Sequence, residues 1–200
     1  YFVNQLHENS PKINLGTRNK LNRLGAPYEV YSFNDIPKIK DLDRYKLVIF
    51  TSLFELTPEK RRVLDEYVLK DGRSVLWMYA PGIVTNGVLD EQNCEKLSGI
   101  CYSEAGVAKR KMEGYTSYYI HDYDDLTPSV LKKIAKDAGV LINVEEELPV
   151  YAEGELLAIH KKDGGNITVT VNADFSLAEE LFTGKRITVQ EGKYEYALSE

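Results

Sequence analysis

The 200-residue sequence holds only two cysteines, Cys94 and Cys101, three histidines and one tryptophan. Two cysteines cannot staple a disulfide scaffold, nor can they complete a four-ligand zinc site unaided. Long apolar runs are missing too. The best candidates, Leu47–Phe50 and Val75–Ala80, are strand-sized and far short of the ~18 to 20 residues of a membrane helix, so no membrane association is expected. Positive charge is outnumbered, 25 Lys and Arg against 31 Asp and Glu: the net charge is −6, and the basic residues gather only in short runs such as Lys109-Arg110-Lys111 and Lys132-Lys133. A field of that sign repels polyanions, which argues against a nucleic-acid partner. Neither G-x-G-x-x-G nor G-x-x-x-x-G-K-[ST] occurs, and Gly82 and Gly87 alone are a weak loop signal, so no nucleotide and no other cofactor is expected.

What is present describes an ordinary globular chain. Hydrophobic residues make up 43% and charged residues 28%, which excludes disorder, collagen and coiled coil. A chain of this length buries roughly 70% of its unfolded surface, enough for one domain with a small satellite. It begins at Tyr1 with no basic-then-apolar leader, which suggests a piece of something longer and leaves its compartment unassigned.

Helix and strand signals alternate through the first three quarters. Tyr1-Phe2-Val3 is read as the opening of a strand, Lys12 to Leu24 as a helix stopped by Gly25, and Tyr28 to Phe33 as a half-buried strand. Tyr45 to Thr51 is almost continuously apolar, as a strand covered on both faces would be. The clearest helix is capped by Thr57, has Pro58 at its first position, carries the stripe Val63, Leu64, Tyr67 and Val68, and ends at Gly72. Ser74 to Ala80 is a second buried strand broken by Pro81-Gly82, Glu91 to Ser98 a short helix, and Tyr118 to His121 a further strand. Thr127-Pro128 then repeats the earlier start chemistry for a helix with the stripe Val130, Leu131, Ile134, Ala135 and Ala138. The β-α-β-α rhythm implies a parallel sheet. Beyond Val150 it changes: Leu156 to His160 and Ile167 to Val171 read as a hairpin around Asp163-Gly164-Gly165-Asn166, extended by Ile187–Val189 and Tyr194–Leu198. The expected division is an α/β domain over residues 1–149 and a small antiparallel β-domain over 150–200.

Chemistry in an open parallel sheet belongs at the carboxyl ends of its strands. A Ser or Cys enzyme of this class carries its nucleophile at a sharp strand-to-helix turn, yet the turn after Tyr79 is Ala80-Pro81-Gly82. Cys94 falls inside a helix, where it reads as a packing residue. His121-Asp122-Tyr123-Asp124-Asp125 is the one dense group of acid–base residues, but it precedes a Thr-Pro helix start, where Asp serves turns and the helix dipole; neither it nor the cysteines imply a metal. Glu145-Glu146-Glu147 reads as a solvated connector. Tyr115, Tyr118, Tyr119 and Tyr123 suggest a stacking surface for sugar, against the plainer reading that alternating strand residues send at least one ring into the core.

Leu24-Gly25-Ala26-Pro27-Tyr28-Glu29-Val30-Tyr31, Tyr45–Phe50, Leu56-Thr57-Pro58-Glu59 and Asp71–Trp77 together resemble the trimerisation domain of bacterial β-galactosidases of the family 42 type and related glycoside hydrolases. Asp137–Val140, Ile167–Asn172 and Leu181–Lys185 are similar to later parts of that region, including its small C-terminal β-domain. The resemblance implies a flavodoxin-like or class I amidotransferase-like sheet with helices on both faces. It also implies a non-catalytic role beside a catalytic barrel of a parent chain, and a homo-oligomer, by analogy a trimer. Two departures stand out: the segment from Cys101 to Thr116 is shorter than expected, and the barrel with its catalytic carboxylates is absent. The residues proposed for a partner or ligand surface are Phe54, Trp77, Tyr79, Pro81 and Asn86, with Trp77 also readable as core. The rival readings are an amidotransferase-like hydrolase using Cys94 or Cys101 with His121, near Asp122 and Asp124, and a carbohydrate-binding module working through exposed tyrosines.

Overall fold

The computed structural model describes residues 2–198, with side chains from residue 9 onward. The first element is a helix, α1 (Phe2–Leu21), not a strand followed by a helix: Phe2 and Val3 are helical, and Pro11 is carried inside. Tyr1 lies outside the described residues. Ile13 and Thr17, one turn apart on one face, are both buried. The expected strand at Tyr28–Phe33 does not form. Pro27 removes a donor, Val30 is 75% exposed, and Phe33 opens a 3₁₀ turn (Phe33–Lys38).

Strand β1 (Leu47–Phe50) leads through β2 (Glu55–Leu56) to α2 (Pro58–Val63), which continues as a π-helical turn (Leu64–Val68). Then come β3 (Ser74–Met78), a hairpin of β4 (Val84–Thr85) and β5 (Val88–Leu89), and α3 (Gln92–Ser98). Strands β6 (Val107–Lys111) and β7 (Thr116–Ile120) precede α4 (Pro128–Asp137). The main sheet has the order β1-β3-β7-β6, with β1, β3 and β7 parallel and β6 antiparallel to β7. The fold is therefore α/β, but its sheet is mixed. The stretch noted only for its basic cluster Lys109-Arg110-Lys111 is the antiparallel edge strand. Its charges are tolerated because four of its five residues are exposed. The same logic corrects β1: it is the opposite edge, so its residues are half-buried, whereas every residue of the two central strands is buried.

Both Thr-Pro starts behave as the sequence dictates. Thr57 Oγ1 accepts from Lys60 N–H and Thr127 Oγ1 from Val130 N–H, each at 3.2 Å, with proline at a position whose N–H has no helical acceptor. Thr127→Ala is expected to lower stability by about 1 kcal/mol in chemical denaturation, and Thr127→Asp to hold it near the wild-type value.

The remaining strands are β8 (Val150–Glu153), β9 (Leu156–Ile159), β10 (Gly165–Thr170), β11 (Leu177–Glu179), β12 (Arg186–Thr188) and β13 (Lys193–Leu198). They are antiparallel as expected, but the pairing differs from the predicted hairpin: β9 pairs with β8 across Gly154-Glu155, while β10 pairs with β13, far along the chain. Alternation explains the choice. Ile167 and Val169 of β10 face Tyr196 and Tyr194 of β13, and these join Val144 and Val150 in one apolar cluster.

Two compact units result. One comprises residues up to Asn19 together with Glu29–Val140; the other comprises Lys20–Tyr28 together with the chain from Leu141 onward. Gly25 explains how Lys20–Tyr28 joins the second. Its carbonyl accepts from Asn143 and Val144 N–H at 2.8 and 3.0 Å, its φ is +77°, and a Cβ there would stand 2.0 Å from the Val144 oxygen. Only glycine fits.

Candidate functional site

The carboxyl ends of β1, β3 and β7 bring together Phe54, Tyr79 and His121. Tyr79, the first residue after β3, has φ +63°. Left-handed backbone at a bulky residue is a genuine outlier, and the end of a central strand is where α/β enzymes hold a strained nucleophile. Here the position carries a phenol. Phe54 meets the Tyr79 ring edge-on at 6.1 Å, His121 lies 5.8 Å from Tyr79, and Tyr102 meets His121 edge-on at 4.6 Å. All four rings are half-buried.

A hydrogen-bond hub holds them. Tyr119 is fully buried, and its hydroxyl lies 2.6 Å from the Tyr79 carbonyl, 2.7 Å from the Tyr102 carbonyl and 3.1 Å from His121 Nδ1. One phenolic proton serves one carbonyl at a time. The oxygen then accepts from His121 when Nδ1 bears the proton, which leaves Nε2 as a hydrogen-bond acceptor. Burial raises the Tyr119 and Tyr102 hydroxyl pKa values well above the ordinary phenol value, so both stay neutral donors.

Cys94 lies in the adjoining cluster with Ala80 and Ile83, against Phe54, Tyr79, Val84 and Tyr102. It is fully buried, and burial, assisted by Glu91, pushes its thiol up to about 12. A thiol so protonated is no nucleophile at neutral pH. Cys101 is exposed, with Ser103 Oγ 3.6 Å away. A thiol-alkylating reagent is therefore expected to label Cys101 at once and Cys94 only on unfolding; rapid modification of both would contradict this packing.

The other predicted positions separate. Trp77 is not on a surface: it is fully buried in β3, stacked on Phe50 at 5.0 Å, and donates from Nε1 to Ser117 Oγ at 3.1 Å. Pro81 is likewise buried, since the chain turns inward there to pack Ala80 and Ile83. Asn86 is exposed at the hairpin tip. Asp122 Oδ1 accepts from Asp124 N–H at 2.9 Å and caps a 3₁₀ turn (Tyr123–Asp125), while Asp124 pairs with Lys12 at 3.3 Å. Among the described residues no three His, Cys, Asp or Glu side chains gather as metal ligands would. Tyr115, Tyr118 and Tyr119 are all buried, so that segment presents no row of rings. The site residue missed in the sequence is Tyr102. Its contact with His121 spans a loop and a strand, and no local pattern signals it.

A shallow depression of about 630 Å³ between α3 and β6, lined among others by Glu95, Lys96, Arg110 and Met112, lies toward the opposite end of the parallel strands, where β6 ends beside the start of β7. It shares no residue with the aromatic cluster.

No family model matches the sequence, and no curated protein matches it significantly. Solved structures do resemble it. A β-galactosidase from Bacillus circulans sp. alkalophilus superposes with a TM-score of 0.59 at 15% identity, covering 90% of this chain and 35% of its own. Gan42B, a GH42 β-galactosidase, gives 0.54 at 15% identity, covering 92% of this chain and 34% of its own. A catalytic mutant of Gan42B from G. stearothermophilus gives 0.52 at 15% identity, with coverages of 91% and 34%. The chain thus spans about a third of the length of these neighbours. At this identity the likeness is one of fold: an α/β sheet unit with an antiparallel β extension, as found within β-galactosidase chains of the GH42 type.

Proposed function

We propose that the chain is a non-catalytic C-terminal module of a glycoside-hydrolase-like protein of the β-galactosidase type, working beside a catalytic barrel in oligomer assembly or in shaping the substrate side. The observation that carries this reading is Tyr79: the strained strand-end position of the fold is kept, but its side chain is neither Ser nor Cys. The protonated, buried Cys94 argues against the thiol-hydrolase alternative. Coverage of about a third of each GH42 neighbour supports a part played within a larger enzyme. Light scattering over a wide concentration range tests the assembly role. A stable trimer is the expected result, and a strict monomer at every concentration would sink self-assembly by this segment.

A second reading, carbohydrate binding, is favoured by the Phe54, Tyr79, Tyr102 and His121 cluster, because aromatic rings beside neutral hydrogen-bonding groups suit a polyhydroxylated ligand. Saturable shifts of the His121 ring resonances on adding galactose, abolished in Tyr79→Ala, would support it. Unchanged resonances at saturating sugar would remove it.

A further inference from the structure

We propose that Asn86 is a self-modification site: its side-chain amide is lost by attack of the Gly87 backbone nitrogen, and the isoaspartate that results unlocks the β4–β5 hairpin. Of all the asparagines in the sequence, Asn86 alone is followed by glycine. Glycine has no Cβ to hinder approach of its own amide nitrogen to the preceding side chain. Both residues are exposed, and the space where a Gly87 side chain would stand is empty.

The chemistry needs only water. The Gly87 nitrogen gives its proton to solvent and bonds to Asn86 Cγ; the bond from Cγ to the side-chain nitrogen breaks, and that nitrogen takes up a proton and departs as ammonia. The five-membered imide then adds water. Opening on the Cγ side gives aspartate. Opening on the backbone-carbonyl side routes the chain through Cβ and gives isoaspartate.

The hairpin is poorly able to absorb that extra backbone carbon. Asn86 and Gly87 have φ of +52° and +76°, the pair of left-handed residues that a two-residue hairpin turn of the right twist requires. That turn sets the pairs Thr85 with Val88 and Val84 with Leu89, which are the whole of the β4–β5 ladder. With only two pairs below it, the turn at the tip can fluctuate while the base of the hairpin stays held by β2, which gives the attack the freedom it needs. The hairpin is also latched from below: the buried Asn93 amide donates to the Ile83 and Val88 carbonyls at 3.2 and 3.1 Å. Lengthening the turn displaces the second acceptor. Asn93 and Asn143 serve as internal controls. Both are buried, both donate from their side-chain amides to backbone carbonyls, and neither precedes glycine.

The test ages the protein at mildly alkaline pH and maps peptides by mass spectrometry, with hydrogen exchange on fresh and aged samples. The expected result is replacement of the amide by an acid at Asn86 well before any other asparagine, with isoaspartate among the products. Faster exchange is expected in residues 83–90 of the modified fraction only, while Trp77 emission stays unchanged. Asn86→Gly, which preserves the turn, should show neither change. The proposal is overturned if Asn86 persists while other asparagines convert, or if the modified hairpin exchanges as the fresh one does.

Discussion

Arg73→Met is expected to destabilise the sheet unit by about 2 to 5 kcal/mol in chemical denaturation, a large share of the stability of any domain. Arg73 stands just before β3 with 3% of its side chain exposed. Its guanidinium donates to the carbonyls of Tyr67 at 2.5 Å, Val68 at 3.2 Å, Tyr45 at 3.2 Å and Leu42 at 3.4 Å, and to Asp43 Oδ1 at 3.0 Å. Tyr67 and Val68 close the π-helical turn, where the Val68 carbonyl also accepts from Lys70 N–H at 2.9 Å, and the one guanidinium ties that turn to the lead-in of β1. Methionine fills much of the volume but takes the side-chain donor from the Tyr67 and Tyr45 carbonyls, whereas Val68 and Leu42 keep the backbone N–H groups of Lys70 and Tyr45. The ion pair itself contributes little, because the Asp43 side chain is 88% exposed. Asp43→Asn is accordingly expected to cost less than about 1 kcal/mol, and Arg73→Lys to fall between the two, since an ammonium cannot span all five acceptors. Equal losses in Arg73→Met and Asp43→Asn would show that the ion pair, not the carbonyl set, is what matters.

The second large effect is expected at Trp77. Trp77→Ala should cost about 3 to 5 kcal/mol, the range for removing a large aromatic from a rigid core. The site has little room to collapse: Trp77 is fully buried in a strand with neighbours paired on both sides, and its ring lies almost parallel to Phe50, with 15° between their planes. Trp77→Phe keeps most of the apolar contact and loses the donor to Ser117. Ser117 Oγ still donates to the Ser98 carbonyl at 2.6 Å, so the loss in Trp77→Phe should be smaller, about 1 to 2 kcal/mol. Circular dichroism is the suitable probe for both variants, because Trp77 is the sole tryptophan. In the wild type its emission should be blue-shifted and shielded from aqueous quenchers. Trp77→Ala unfolding at the wild-type midpoint would contradict this account of the core.

Legibility followed the range of the interaction. The two Thr-Pro helices, the buried strand Ser74–Met78 and the short helix that ends at Ser98 were readable because each rests on contacts within a few residues: a side-chain cap, a fixed proline φ, a run of apolar side chains. Tyr28–Phe33 shows the failure mode. Its aromatic–polar alternation is a strand pattern, but no neighbouring strand takes up its backbone, and the segment stays unpaired. Val107–Lys111 fails in the reverse direction, since a run dominated by positive charge becomes a strand because β7 supplies the ladder. The Asn86-Gly87 turn was fully local and could have been found from that dipeptide alone.

The candidate site divides the same way. The sequence by itself determined the α/β alternation, the antiparallel character of the last quarter and the want of a nucleophile at the strand-end turn, since these depend on residue type and short spacing. Only the tertiary structure decided that Tyr79 carries the left-handed strain, that Tyr102 closes on His121, that Trp77 and Pro81 are interior, and that Lys20–Tyr28 joins the second unit through Gly25. Each of these is fixed by partners distant in the chain, and the free energy that selects them, burial of rings and satisfaction of backbone groups, exists only once those partners have met.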